Sequence, residues 1–381
     1  MRALMVTKFV PFPDNDGGKQ RVLAVARRLA QGADLVLCAY DDGESDVAGL
    51  EKLGIDVRSV PWNPTAWRAA RGAVTARSLS AGRFFSPELV AEVRAAAAEG
   101  PLDLLQVEYL QMAPVGRDVV AARRVLDLHN VESALMHSYG RSVRGPSGLV
   151  AHAEAGALSI MERHALRSFD TVVVVSEKER HRLATEAPGL LVCPNGRDPD
   201  PSCPLPPAPT PTAAFVATLG WAPNVDAALW FSRQVWPEVL RRLPAARLLL
   251  VGRDPAPSVQ ALASAAVEVS GTVSDVLPYL AQARLTVAPL RSGGGTRLKI
   301  LEALDAGRPV VATSVAVDGL EDLIGRGVVV ADDAPTMADV VVRLLDDPDE
   351  AVALGRVGHD AVAASHTWDA ALAPLLATVD L

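Results

Sequence analysis

Cysteine is scarce in this chain of 381 residues, which holds only Cys38, Cys193 and Cys203. Three scattered thiols are too few for a disulfide framework or a cysteine-based zinc site. Long apolar runs are also lacking, since no uninterrupted stretch is long enough to cross a bilayer. Pro11 and Pro13 break the first apolar segment too early for a signal peptide, so we expect a cytoplasmic protein.

Positive charge is not in excess, because 37 Lys and Arg residues face 45 Asp and Glu residues, for a net charge of −8. This balance argues against general nucleic-acid binding. Only five residues are lysines, and Lys19 and Lys299 both come shortly after a glycine cluster. A basic cluster of Arg68, Arg71, Arg77 and Arg83 could touch a membrane surface, but its irregular spacing favours a solvated face.

Two common nucleotide-binding motifs are missing as well. No Gly-Lys-Ser/Thr follows a glycine loop at Walker A spacing, and no G-x-G-x-x-G follows the first strand of either half. These absences disfavour a P-loop hydrolase and a standard dehydrogenase.

Short apolar runs do alternate with longer amphipathic ones, a pattern typical of parallel sheets covered by helices. In the first half this predicts strands at residues 3–6, 34–38, 104–107, 124–128 and 171–175, and helices at 20–30 and 87–98. In the second half it predicts strands at 214–217, 247–251, 267–270, 285–289, 309–313 and 328–330, and helices at 224–243, 258–265, 276–283 and 297–305.

The length predicts two domains. We place the first at residues 1–195 and the second at 213–365, joined by a proline-rich linker, 196–212. A C-terminal helix, 366–381, could cross back to the first domain. The predicted fold class is α/β, with two Rossmann-like doubly wound domains facing across a cleft, where ligands bind beyond the carboxyl ends of the strands.

The most informative stretch is SGGGTRLK, residues 292–299, between a predicted strand and a predicted helix. Glycines, a helix N-terminus and the cations Arg297 and Lys299 together favour a phosphate or diphosphate site. Glu302 flanks the apolar face of the same helix, where a carboxylate can accept two hydrogen bonds from a ribose diol. The alternative is a solvated loop with a Lys299–Glu302 pair.

A second glycine loop, DNDGGKQR, follows the first strand and could offer backbone N–H groups from Gly17 and Gly18. Taken alone, this loop favours the alternative, a turn with an Asp16 cap. His129 ends a later strand in DLHNVE, where it could contact a sugar or be a structural histidine. In the second half, Gly220 and Arg253 follow predicted strands, and Arg253 could reach a phosphate or a base.

Read in order, DNDGGKQR, DLHNVE, CPNGRD, GTVSDVLPYLAQA and PLRSGGGTRLKILEALDAGRPVVAT resemble the group 1 (family 4) glycosyltransferases of the GT-B fold. The resemblance covers nearly the whole chain and is strongest over residues 215–320. It implies retaining transfer of a sugar from a nucleotide-diphosphate donor to a small-molecule, glycan or lipid-linked hydroxyl, with no cofactor and no required metal.

Carried over by motif, the resemblance gives Glu302 the donor ribose, the loop 293–299 the diphosphate and the sugar, and His129 the transferred sugar. We assign catalysis to His129, Arg297 and Lys299. We assign acceptor binding to Lys19, Asn130 and Glu132. The predicted donor-binding residues are Gly17, Gly18, Gly220, Arg253, Val273, Gly293, Gly294, Gly295, Thr296, Leu298 and Glu302.

Two departures from the family pattern stand out. The family's first glutamate, eight positions before Glu302, is Gly294 here, which removes a side-chain grip on the donor's sugar. The Arg and Lys that many members carry after the first strand of the second domain are absent around residues 220–224. We therefore predict that Arg297, Lys299 and Arg253 neutralise the diphosphate.

Inverting enzymes of this fold often use a histidine in the first glycine loop, and no histidine precedes His129. This absence favours retention by front-face attack. A nucleotide-sugar epimerase and a non-catalytic nucleotide-sugar-binding relative remain alternatives, whereas a pyridoxal phosphorylase fits poorly because so few lysines are present. The donor's base, the acceptor and the oligomeric state are not readable from the sequence.

Overall fold

The computed structural model describes the whole chain except Asn15, residues 66–71, Thr75 and residues 143–144, 184–188, 293–296 and 381. The chain divides into two compact units. The first is Met1–Pro194 together with Leu372–Leu381, and the second is Asn195–Ala371. The proline-rich residues 196–212 are grouped with the second unit by this division.

A parallel sheet of seven strands forms the first unit, in the order β3-β2-β1-β4-β5-β6-β7. The strands are β1 (Arg2–Phe9), β2 (Asp34–Asp41), β3 (Asp56–Pro61), β4 (Leu104–Glu108), β5 (Arg123–Asp127), β6 (Thr171–Val174) and β7 (Leu190–Val192). The strand order reverses between β1 and β4, so the carboxyl ends of these two strands form the switch point where ligands of such sheets bind.

Helices of the first unit connect these strands. They are α1 (Gly17–Ala30), α2 (Val47–Glu51), α3 (Leu79–Arg83), α4 (Pro87–Ala98), α5 (Glu132–Ser142), α6 (Pro146–Ser168) and α7 (Glu177–Leu183). Asp16 caps α1 and Ser86 caps α4, each accepting a hydrogen bond from a backbone N–H of the first turn. The core lies between sheet and helices, with β4 buried along its whole length.

The second unit repeats the plan with six parallel strands in the order β10-β9-β8-β11-β12-β13. The strands are β8 (Thr212–Val216), β9 (Arg247–Val251), β10 (Val267–Val269), β11 (Leu285–Ala288), β12 (Val310–Ala312) and β13 (Val328–Val330). Here the switch point lies between β8 and β11. Its core is one large apolar cluster that includes Phe215, Phe231 and Trp236.

The helices of the remaining chain follow the same alternation. They are α8 (Ala222–Trp230), α9 (Trp236–Arg242), α10 (Pro257–Gln260), α11 (Leu277–Gln282), α12 (Leu298–Asp305), α13 (Ala334–Asp346), α14 (Pro348–Ser365) and α15 (Trp368–Thr378). A π-helical turn, Phe231–Val235, joins α8 to α9. Within the described part of the chain, no helix combines the length and the apolarity needed to cross a bilayer.

The predicted α/β class is confirmed, and the eleven predicted strands all occur with ends shifted by up to three residues. The predicted helix 258–265 is wrong beyond Gln260, where the chain turns towards β10. The predicted helix 224–243 is interrupted by the π turn just before Pro237, whose missing N–H cannot continue the α-helical pattern.

Candidate functional site

In the second unit, the site begins where β11 ends and α12 starts. Ile300, Leu301 and Leu304 are fully buried and fix the orientation of α12 against the sheet. Arg297 occupies the N-cap position with an extended backbone, and only 8 % of it is exposed. The helix therefore presents a cation at its N-terminal end, where the helix dipole alone would favour an anion.

Lys299 is held at this end of α12 by residues of other elements. Its Nζ donates a hydrogen bond to Asn224 Oδ1 over 2.9 Å and lies 4.9 Å from the centre of the Phe215 ring. Burial, reinforced by the charge of Arg297, lowers the pKa of Lys299 to about 7 although Glu302 opposes the shift. Because Phe215 is on β8 and α12 follows β11, Lys299 lies at the switch point of the sheet.

Asn224 is the residue that fixes the position of this amine. It is 4 % exposed, and its Nδ2 donates to the carbonyl oxygen of Thr218 over 2.9 Å. This bond assigns Oδ1 to Lys299. Sequence analysis noted residues 220–224 for their lack of Arg and Lys and did not identify Asn224, because Asn224 and Lys299 lie 75 residues apart.

Glu302 also has a cationic neighbour that the sequence did not reveal. Arg197 Nη1 lies 3.7 Å from Glu302 Oε1, and Arg197 Nε donates to Asp305 Oδ2 over 3.1 Å. Asp305 is 1 % exposed and also accepts from the backbone N–H of Asp200. Arg197, from the CPNGRD motif, thus anchors the start of the second unit to α12 and stands beside the carboxylate predicted to bind ribose.

The other predicted donor-binding residues of this unit are placed as follows. Gly220 packs so closely that a Cβ there would lie 2.5 Å from the carbonyl oxygen of Asp254. Arg253 is part of the same pair of turns, since its carbonyl accepts from Leu219 N over 2.9 Å. Val273 is partly buried against a small apolar cluster, and Leu298 against the main core. Gly293, Gly294, Gly295 and Thr296 lie outside the described residues.

In the first unit, the predicted glycine loop lies at the start of α1. Asp16 Oδ1 accepts from Lys19 N over 2.9 Å, so the capping interpretation of this motif is confirmed. A Cβ on Gly18 would lie 2.5 Å from Tyr109 Oη, which shows how closely the loop approaches the end of β4. Lys19 Nζ donates to Asp42 Oδ2 over 2.8 Å, so this predicted acceptor-binding amine is engaged in an ion pair.

His129 lies beyond the end of β5, with its side chain 7 % exposed. Its Nε2 is 2.7 Å from Glu108 Oε2, and Glu108 Oε1 accepts from Gln106 Nε2 over 2.9 Å. The His129 and Tyr109 rings are 3.8 Å apart, and Lys8 Nζ lies 4.1 Å from the centre of the Tyr109 ring. Sequence reasoning found the histidine but not its partners.

Two predicted acceptor-binding residues follow His129. Asn130 is half-buried, and Glu132 opens α5. Burial lowers the pKa of Lys8, although the charges of Glu132 and Asp16 oppose the shift. Lys8 and Glu132 therefore bring opposite charges to the carboxyl end of the sheet beside His129.

An ion pair beneath His129 is fully buried. Arg21 Nε and Nη2 donate to the two oxygens of Asp127 over 2.9 and 3.0 Å, and the two side chains are 1 % and 0 % exposed. Glu108, Asp127 and His129 each offer one atom that could ligate a metal ion, and these three atoms lie within 4.8 Å of one another. Arg21 already supplies a cation to Asp127, and His129 is hydrogen-bonded to Glu108. Contacts within the protein therefore account for this cluster.

Both units thus carry charged and hydrogen-bonding side chains at the switch point of a doubly wound sheet, and the chain has the two-domain GT-B fold. The fold matches sucrose-phosphate synthase of Thermosynechococcus elongatus, at 18 % identity and a TM-score of 0.73 over 100 % of this chain and 98 % of that one. It also matches HepE of Anabaena in complex with UDP-glucose, at 16 % identity and 0.69 over 100 % of both chains. A glycosyltransferase of Rickettsia africae matches at 15 % identity and a TM-score of 0.65, over 100 % of this chain and 98 % of that one.

Residues 210–347 match the family model described as glycosyl transferases group 1. No curated protein matches the chain by sequence. The family match falls on the unit that holds Lys299 and Glu302. Over residues 210–347 it confirms the resemblance to group 1 glycosyltransferases, and the solved structures confirm the GT-B fold.

Proposed function

We propose that the protein is a retaining glycosyltransferase that moves a sugar from a nucleoside-diphosphate donor to a hydroxyl group, without a required metal. The observation that carries this proposal is Lys299, a cation held by Asn224 at the N-terminal turn of α12 and at the switch point of the sheet. Ligands of doubly wound sheets bind at that edge, and helix N-termini favour phosphate groups.

The proposed division of roles follows from the charges. Lys299 and Arg297 stabilise the negative charge that builds on the diphosphate as the anomeric C–O bond breaks. Glu302, beside Arg197, accepts hydrogen bonds from the ribose hydroxyls. The acceptor oxygen attacks from the same face of the sugar, and its proton passes to the departing phosphate oxygen. His129 and the neighbouring groups of the first unit contact the transferred sugar and the acceptor.

A panel of nucleotide sugars tests this function, with uridine diphosphate sugars first because HepE of Anabaena has been solved with UDP-glucose. We expect release of the nucleoside diphosphate, and NMR of the product should show the anomeric configuration of the donor. An inverted product would contradict retention. Interconversion of donor sugars would identify an epimerase instead, and binding without turnover would identify a non-catalytic relative.

Donor affinity should fall as the pH rises above about 7. Burial and Arg297 lower the pKa of Lys299 to about 7, so the free protein loses this positive charge above that pH. A diphosphate binds the charged form, and the Kd should rise about tenfold per pH unit until the pKa of the donor-bound amine is reached.

Calorimetric titration with an intact nucleotide sugar from pH 6 to pH 9 measures this dependence, because the intact diphosphate does not itself titrate in that range. Lys299→Arg is the matched variant, since a guanidinium stays charged throughout and should give a flat profile. A wild-type Kd that does not change across the range would show that Lys299 does not bind the diphosphate.

A further inference from the structure

Glu108 and His129 form a hydrogen bond whose proton has to be assigned. Oε2 of Glu108 and Nε2 of His129 are 2.7 Å apart, and the side chains are 0 % and 7 % exposed. A carboxylate and a bare imidazole nitrogen are both acceptors, so the bond needs a proton. It comes from a carboxylic acid, from an imidazole protonated at Nε2, or from an imidazolium.

We propose that Glu108 is a positioning residue that, as a neutral carboxylic acid, donates its proton to Nε2 of His129 and fixes the imidazole as the tautomer with N–H at Nδ1. The bond from Gln106 Nε2 to Glu108 Oε1 over 2.9 Å fits this arrangement, because it leaves Oε2 to carry the proton. In this form His129 offers a ligand a hydrogen-bond donor, and Nε2 is no longer available as a base.

The buried surroundings of the pair support the neutral form. Arg21, from α1, donates to both oxygens of Asp127 at the end of β5. Its charge favours an ionised Glu108, but burial of Glu108 has the larger effect. Burying an ionised carboxylate without its own cation costs on the order of several kcal/mol. Such a group usually takes up a proton and becomes neutral instead. The remaining charged groups that act on His129 are Asp16 before α1 and Lys8 on β1.

The protonation behaviour of the two groups agrees with this geometry. Burial raises the pKa of Glu108 to about 7, although Gln106 and Arg21 oppose the shift. Burial lowers the pKa of His129 to about 3 in spite of Asp127, which disfavours an imidazolium near neutral pH. Below about pH 7 the acid therefore donates to Nε2, and above it the proton on the imidazole moves to Nε2 and bonds the carboxylate.

The backbone and ring of Tyr109 hold the imidazole in place. Tyr109 adopts a φ of +73°, a left-handed conformation that a tyrosine rarely takes. Its backbone N–H donates to the carbonyl of Asp127 over 2.9 Å, and its ring lies 3.8 Å from that of His129. With the ring restrained, Nε2 stays directed at Glu108, and the protonation of Glu108 selects the tautomer.

The consequence for transfer rests on the proposed function. If His129 contacts the transferred sugar, the Nδ1–H tautomer donates to a sugar oxygen. Glu108→Leu removes the proton donor, and we expect kcat/KM to fall about tenfold, the value of one hydrogen bond. Glu108→Gln should keep most of the wild-type kcat/KM, since the amide N–H of the glutamine donates to Nε2 of His129 and its carbonyl accepts from Gln106.

The tautomer is measured directly by ¹⁵N NMR of the histidine ring nitrogens, assigned by comparison with His129→Asn. We expect N–H at Nδ1 in the wild type at pH 6, and in Glu108→Gln at both pH 6 and pH 8. N–H at Nε2 or an imidazolium in the wild type at pH 6 overturns the proposal. So does a Glu108→Gln variant that folds but shows N–H at Nε2. The spectra need no substrate, so a failed transferase assay with the expected spectra refutes the proposed function alone.

Discussion

Lys299→Ala should lower kcat/KM for the nucleotide sugar by about 10²–10³-fold, the usual loss when one pre-placed donor to a developing negative charge is removed. The amine of Lys299 donates to Asn224 and lies over the Phe215 ring, and both of these partners are uncharged. Under the proposed function its charge acts on the diphosphate, and its position needs no rearrangement when the diphosphate departs. Steady-state kinetics with a saturating acceptor measures the effect.

The matched control is Lys52→Ala, which removes an exposed lysine of the first unit and should leave kcat/KM unchanged. Lys299→Met separates charge from packing, because it keeps most of the side-chain length beside Phe215. If Lys299→Met and Lys299→Ala lose activity equally, the charge is responsible. Donor affinity and turnover that survive both changes would refute the relocation of the phosphate-binding charge to α12.

The fold was predictable because the central strands of a parallel sheet are buried on both faces and appear as continuous apolar runs. The two strands that sequence analysis missed, β3 and β7, are the edges of the first sheet. β3 contains Arg58 and Ser59 and is mostly exposed or half-buried, and β7 has only three half-buried residues. Edge strands bury less surface, so their sequences carry less of the apolar pattern.

The predicted helix 258–265 failed for a related reason. Its alanines and Leu262 have good helix propensity, but only Val259 of α10 is buried, and residues 261–264 are exposed or half-buried. Without an apolar face to bury, propensity alone does not sustain a short helix. The backbone bridge between Ser264 and Val267 forms instead.

The motifs of the candidate site were predictable from the sequence, but the hydrogen-bonding partners of its side chains were not. Strand ends and glycines locate Lys299, Glu302 and His129, because parallel strands bring their carboxyl ends to one edge. Their hydrogen-bonding partners lie elsewhere in the chain, 75 residues away for Asn224 and 21 for Glu108. Spacing in the sequence does not encode such pairs.

The sequence does carry a signal for one buried ion pair, at Arg21. Arg21 lies in α1 one turn before Val25, within the run of residues that the helix buries. A charged residue on a buried face needs an opposite charge, so the sequence requires a buried carboxylate nearby. The structure identifies that carboxylate as Asp127.

Asp127→Ala should destabilise the first unit by about 3–5 kcal/mol, because it leaves the guanidinium of Arg21 buried without its counter-charge. Arg21 is 1 % exposed, and its Nη1 also donates to the carbonyl of Pro194 over 3.2 Å, which carries no negative charge. Urea denaturation measures the loss, and hydrogen exchange in peptides covering α1 and β5 assigns it to the first unit.

The matched control is the surface pair of Arg94 and Asp118, which has the same residue types at 2.8 Å with both side chains 64 % exposed. Asp118→Ala should cost at most about 1 kcal/mol, since water solvates the charge that remains. The double variant Arg21→Met with Asp127→Leu should recover much of the stability, because no charge is then buried alone. Equal losses for Asp127→Ala and Asp118→Ala would show that the buried pair is not what joins α1 to β5.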